Sequence, residues 1–283
     1  MKIMILIVTA VLLLSGYSQS EGIHLTIPPT KATDSDAAFK SPTSFSKAKR
    51  HMYDIYRDVG KTFYCGCSYK GRKPDVEPDC YTPVKPNNIR DTRTEAEHIL
   101  PAAIIGQSFA CWAEAKKIKG VSGRKHCYRT DLKFRDAHND PTNLAPIVGG
   151  PNAYRGSLDY GYPQWNYYNF GACQLFISKG GPVSERRVLP PKEIRGDVAR
   201  VYDHMRFTHG LTLNAETLKM MAVWKKNDPI STWERERKIR LERVLGPLPY
   251  YLPKDKKKPI INKNHPDSIL EWLRNIDDGY RQL

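Results

Sequence analysis

The octapeptide Thr94-Glu95-Ala96-Glu97-His98-Ile99-Leu100-Pro101 sets a carboxylate beside an imidazole. A carboxylate oxygen is a ligand for a hard divalent cation, and an imidazole titrates near neutrality, so the pair could hold a metal and take a proton from water. That combination suits metal-assisted hydrolysis of a phosphodiester. Neighbours on a regular strand face opposite ways, so Glu97 and His98 share a site only where the strand twists or ends, and Pro101 makes an end there plausible. On the same period-two rule Glu95 stands on the Glu97 side and is a rival ligand. Taken alone, the octapeptide more often means a solvated carboxylate next to a structural histidine.

A second constellation runs from Asn143-Leu144-Ala145-Pro146 through Gly149-Gly150-Pro151-Asn152 to Arg155. An Asn in the first turn of a helix can turn its amide oxygen to a cation, and Arg155 on the next turn would face a phosphate. The plainer alternative for Asn152 is a helix cap. His138-Asn139 offers a competing pair, but Asp140-Pro141 reads as a turn that would hold it on the surface. His24, His51, His204, His209 and His265 have no nearby metal-ligand spacing and read as structural or solvated.

The elements that must carry these residues are legible in outline. Phe45, Ala48, Met52, Ile55 and Val59 recur at helical steps, stopped near Gly60. Residues 62–69 read as a short strand with two cysteines, and 71–88 as loop. A strand is expected over 93–100, a helix over 102–115, a long basic loop over 116–141, a strand over 143–148 and a helix starting at Pro151-Asn152. The order is therefore strand, long excursion, strand, helix. Residues 174–178 and 186–189 could pair as a hairpin, and helices are expected over 195–209, 215–224 and 230–244. Beyond a Pro- and Lys-rich stretch at 252–265, Ser268 and Glu271 form a capping box for a short helix.

Composition narrows the setting. The 283 residues, 40% hydrophobic, are enough for a conventional core. Met1-Lys2 followed by an apolar run at 3–14 reads as a cleaved secretory signal over 1–20, too short to span a bilayer, and no later segment resembles a membrane span. The six cysteines all lie beyond it, an even number in an oxidising compartment, so disulfides are expected, and Cys65 and Cys67 are too close to pair with each other. Cys65-Gly66-Cys67 is not a usual zinc knuckle. The net charge of +15 favours polyanions, nucleic acid before anionic membrane.

Several segments together resemble the bacterial endonuclease I family of periplasmic and secreted nucleases. They are Phe45-Ser46-Lys47-Ala48-Lys49, Phe63-Tyr64-Cys65-Gly66-Cys67, Glu97-His98-Ile99-Leu100-Pro101-Ala102, Cys111-Trp112, Gly123-Arg124-Lys125-His126-Cys127 and Asn143-Leu144-Ala145-Pro146, followed by Arg186-Arg187-Val188-Leu189-Pro190-Pro191, Arg195-Gly196-Asp197-Val198-Ala199-Arg200 and Asp228-Pro229-Ile230-Ser231-Thr232-Trp233-Glu234. The match covers 44–246. It implies an α+β fold, a mixed fold with a central ββα-metal finger flanked by helices and held by disulfides. It implies a nonspecific endonuclease acting on DNA and also on RNA through backbone contacts, leaving 5′-phosphate ends, in the periplasm or outside the cell, as a monomer not inserted in the membrane.

By position the resemblance makes Glu97 and Asn152 the metal ligands, for Mg²⁺ with Ca²⁺ or Mn²⁺ as alternatives. It makes His98 the general base and Arg124 the arginine on the phosphate, with Arg155 a further basic substrate contact. Around the site four positions depart from the family's pattern: Ala96 stands for an aromatic residue, Thr142 for a His, and Gly150 and Pro151 for charged residues. They motivate an alternative, a catalytically weakened secreted nucleic-acid-binding protein; a disulfide-rich membrane-active module is a third class, supported only by charge and secretion. The domain expectation is a signal at 1–20, a nuclease domain at 21–250, and a basic linker with a terminal helix at 251–283.

Overall fold

A computed structural model describes residues 38–74, 80–85 and 87–252. The expected signal segment and the helix after Ser268 lie outside the described residues. The first helix, α1 (Phe45–Ile55), starts at Ser44, whose side chain accepts the Lys47 N–H, and it buries Ala48, Met52 and Ile55 on one face. The expected strand over 62–69 is instead a turn: the Thr62 hydroxyl accepts the Cys67 N–H at 3.0 Å and Gly66 takes a left-handed φ of 66°. Cys65 and Cys67 pair with different partners, Cys173 and Cys80, which a turn serves better than a strand. A minimal ribbon, β1 (Tyr69–Lys70) and β2 (Lys73–Pro74), follows.

The strand carrying the octapeptide is β3 (Thr94–His98), and it pairs antiparallel with β4 (Leu144–Val148), Glu97 opposite Ala145 and His98 opposite Leu144. The excursion between them holds four helices: α2 (Ala102–Gln107), α3 (Ala110–Lys116), α4 (Gly123–Thr130) and α5 (Leu132–His138). The last two replace the expected basic loop. Each is only two turns long and buries few apolar residues, Cys127 in one and Phe134 and Ala137 in the other, so no periodicity shows against the Lys and Arg of the outer faces. Asp131 separates them, ending α4 and capping α5 through the Phe134 N–H. Immediately after β4 comes α6 (Gly149–Arg155), which completes a ββα unit in the expected order.

A second sheet has the order β5 (Tyr167–Phe170), β6 (Cys173–Ser178), β7 (Val188–Leu189), with the predicted hairpin in register as Phe176 opposite Leu189 and Ile177 opposite Val188. Helices α7 (Arg195–His209), α8 (Ala215–Asn227) and α9 (Thr232–Leu245) follow, the last opened by a Ser231–Glu234 capping box. Arg237 of α9 donates to the carbonyls of Thr142 and Leu144 at 2.8 and 3.2 Å, fastening this helix to the start of β4. One apolar cluster runs from Met52 through Ile99, Leu144 and Phe170 to Tyr202 and Leu241, so both sheets and the C-terminal helices share a core. The result is α+β, as expected. Among the described residues no helix is long and apolar enough to cross a membrane.

All six cysteines are paired, the third bridge joining Cys111 to Cys127 across α3 and α4. It closes a loop of 16 residues, and restricting the unfolded chain to that extent is worth about 3 kcal/mol. Replacing both cysteines by serine is expected to lower the urea midpoint accordingly; an unchanged midpoint would show that the two helices hold each other without the bridge.

Candidate active site

The β3 ladder ends at His98, and the chain is turned away there by Asn143. Its backbone carbonyl accepts the Ile99 N–H at 2.9 Å, its side-chain oxygen accepts the Leu100 N–H at 2.6 Å, and its amide donates to the Leu100 carbonyl at 2.9 Å. Glu97 and His98 thus occupy the last two ladder positions, each buried and set in its own polar surroundings.

Glu97 is 4% exposed. Its Oε1 meets the Arg155 guanidinium at 2.7 Å and accepts the Tyr64 hydroxyl at 3.2 Å. Burial pushes its carboxyl up, against the pull of Arg155, Tyr64 and Arg124. Both of these contacts fall on Oε1, and among the described residues none falls on Oε2. A buried carboxylate with one oxygen tied down and the other free is suited to a cation, which would also favour the charged form.

His98 is 6% exposed, and its ring stacks on Phe45 of α1 with centroids 5.2 Å apart. Its Nε2 lies 2.9 Å from the backbone carbonyl of His138. A carbonyl only accepts, so Nε2 carries the proton and Nδ1 presents a lone pair. Burial, with the nearby His138 and Arg124, holds the imidazole well below its ordinary value, so it stays neutral.

Arg124 of α4 donates from Nε to His138 Nε2 at 2.9 Å, and its guanidinium lies over the Phe45 ring. His138 in turn donates from Nδ1 to Asn139 Oδ1 at 3.2 Å, and the Asn139 amide donates to the Pro42 carbonyl and the Tyr128 hydroxyl. His138 and Asn139 were expected on a surface turn; they are instead 2% and 0% exposed and orient both His98 and Arg124. Their role escaped the sequence because it is played by a backbone carbonyl and by partners on other elements.

Asn152 sits in α6 and donates its amide nitrogen to Glu95 Oε2 at 2.8 Å, which leaves its carbonyl oxygen for another partner. Glu95 also receives Arg90 at 2.5 Å and Arg93 at 2.9 Å. Although burial pushes its carboxyl up, Arg90, Asn152 and Arg93 hold it below the ordinary value. The rival ligand is therefore saturated by cationic and amide donors, whereas Glu97 Oε2 and Asn152 Oδ1 keep free oxygens of the kind a hard cation takes.

Arg155 lies 1% exposed, against the expectation of a substrate contact. Besides Glu97 it donates to the carbonyls of His98 and Ile99, both at 2.9 Å. It straps α6 to the end of β3, with its guanidinium over Tyr160. The signal for this was absent from the sequence, where Arg155 falls on the helix turn after Asn152 and reads as facing a phosphate.

The Gly150 departure has a steric reason. A Cβ there would stand 1.7 Å from Asp91 Oδ1 and 2.6 Å from the Tyr81 hydroxyl, and the Gly150 N–H donates to the Asp91 carboxylate. At Gly149 a Cβ would stand 2.4 Å from the Arg90 carbonyl. The glycines let α6 approach the 89–92 turn, which places the Asp91 carboxylate beside the helix start.

The family model described as Endonuclease I matches residues 43–250. An extracellular deoxyribonuclease of Aeromonas hydrophila is 35% identical over 210 residues, covering 72% of this chain and 86% of that protein. A periplasmic deoxyribonuclease of the same species is also 35% identical, covering 72% and 82%. Endonuclease-1 of Buchnera aphidicola subsp. Acyrthosiphon pisum is 30% identical over 213 residues, covering 74% and 80%. The matched span takes in the ββα unit, all three disulfides and the helices that close the core, and on that ground this chain belongs to the endonuclease I family.

Proposed function

We propose that this protein is a metal-dependent endonuclease of the periplasm or extracellular space that cuts DNA, and RNA as well, with little sequence preference. The observation that carries the reading is the His98 ring, neutral and with Nε2–H committed to the His138 carbonyl, so that Nδ1 is a fixed proton acceptor one residue from a buried carboxylate. Glu97 and Asn152 would hold Mg²⁺, with Ca²⁺ or Mn²⁺ as substitutes; bound there, the cation supplies positive charge against the phosphoryl group in transit.

His98 Nδ1 takes a proton from water as the water oxygen bonds to phosphorus and the bond to the 3′ oxygen breaks. The leaving oxygen takes a proton from solvent, and a 5′-phosphate remains. Arg124, held in place by His138, faces the phosphate and opposes its charge. Tyr64 and Arg155 keep Glu97 in position. Contacts confined to the backbone carry no sequence information, which accounts for the lack of preference. The names of the Aeromonas relatives, and disulfides that require an oxidising compartment, support the location and the DNA substrate.

Plasmid and RNA digestion by the oxidised protein tests this. Cutting at many sites in Mg²⁺, its loss in EDTA, and binding that weakens steeply with salt are expected. Tight binding with no cutting in Mg²⁺, Mn²⁺ or Ca²⁺ would instead favour the weakened, nucleic-acid-binding alternative.

A further inference from the structure

A group of side chains outside the assignments above has the make-up of a metal centre. Asp140 precedes the short turn into β4, and His204 and His209 belong to α7; their ligand atoms all lie within 4.8 Å of one another. The side chains of Asp140 and His204 are wholly buried and that of His209 is 7% exposed. Both imidazoles direct Nε2 at one oxygen, Asp140 Oδ2, at 2.8 and 2.9 Å, while Oδ1 accepts the Thr142 N–H. Phe39 packs edge-on against both rings.

The convergence is tertiary. Residues five apart on a helix diverge by more than a quarter turn. Here α7 ends at His209 and Gly210 takes a left-handed φ of 64°, so the last ring can swing back towards Asp140. Two imidazole nitrogens and one carboxylate oxygen form a donor set for Zn²⁺ and its neighbours rather than for Mg²⁺, which prefers oxygen. Tetrahedral zinc ligands at about 2.0–2.2 Å from the ion stand roughly 3.3 Å apart, so each imidazole nitrogen needs to part from Asp140 Oδ2 by only about half an ångström.

The surroundings suit the exchange. His204 Nδ1 lies 3.2 Å from the Thr208 hydroxyl, which can accept the ring proton once Nε2 gives its lone pair to a metal. His209 also lines a groove of about 530 Å³ with Asp136, Lys133 and Thr208, which offers an entry path and room for a fourth, water or carboxylate, ligand.

We propose that Asp140, His204 and His209 form a structural site for a zinc-class divalent cation, separate from Glu97 and Asn152. Occupied, it ties α7 to the 139–143 turn, two residues from the His138 carbonyl that orients His98.

The test uses the EDTA-stripped full chain titrated with Co²⁺ alone. Four-coordinate nitrogen and oxygen sites absorb visible light far more strongly than six-coordinate oxygen sites do. Wild type and Glu97→Gln are expected to show the intense absorption at one Co²⁺ per chain. His209→Gln, whose amide can still donate to Asp140 but is a poor ligand, is expected to lose it. Zn²⁺ should raise the thermal midpoint of Glu97→Gln and leave that of His209→Gln unmoved. X-ray absorption of Zn²⁺-loaded wild type needs no variant and should show two imidazoles on zinc. A shell of oxygens alone, a wild type without the intense band, or a band that survives in His209→Gln would overturn the site; loss of the band in Glu97→Gln would place the cobalt at the other centre.

Discussion

Replacing His98 by alanine should lower turnover of plasmid DNA by about 10²–10⁴-fold while DNA affinity stays close to that of the wild type. The base acts only as the water oxygen bonds to phosphorus, so its loss falls on the chemical step. Affinity rests on the overall positive charge, which the substitution leaves intact because His98 is neutral. The ring also stacks on Phe45, so some stability is lost with it. For that reason His98→Gln and a far-ultraviolet spectrum belong beside the alanine variant. If either folded variant cuts at the wild-type rate, another group is the base.

Arg155→Ala is expected to cost about 3–5 kcal/mol of stability and to abolish cutting with it. The guanidinium is shared by Glu97 Oε1 and the carbonyls of His98 and Ile99, and its removal leaves a buried carboxylate and two carbonyls without their partner. Arg155→Lys should recover only part of this, since one ammonium does not span the partners that a planar guanidinium reaches. A phosphate contact would behave otherwise, weakening DNA binding with stability unchanged. Urea unfolding and DNA affinity measured on the same two variants separate the roles.

Both expectations turn on which features of the site are local. The Glu-His pair, its Pro101 boundary, and the strand, excursion, strand, helix order of the ββα unit follow from short-range rules of alternation, capping and chain breaking, and they were legible residue by residue. So were α7 and the hairpin of β6 with β7. Helix over the first part of the excursion was legible, and the structure has α2 and α3 there. Its second part was not, because α4 and α5 are two-turn helices, one tied to α3 through Cys127 and the other packed around Phe134, and neither contact leaves a period in a basic segment.

What the sequence by itself determined is the inventory: a carboxylate next to an imidazole at a strand end, an amide at a helix start, an even set of cysteines and a large positive charge. The tertiary structure decided how that inventory is used. It turned Arg155 inward as a strap, saturated Glu95 while leaving Glu97 an open oxygen, and set the proton on His98 through the carbonyl of a residue 40 positions away. It also brought Asp140 to two histidines 64 and 69 residues distant. Ligand freedom, burial and tautomer depend on which atoms lie within about 3 Å, and those distances exist only once the chain has folded.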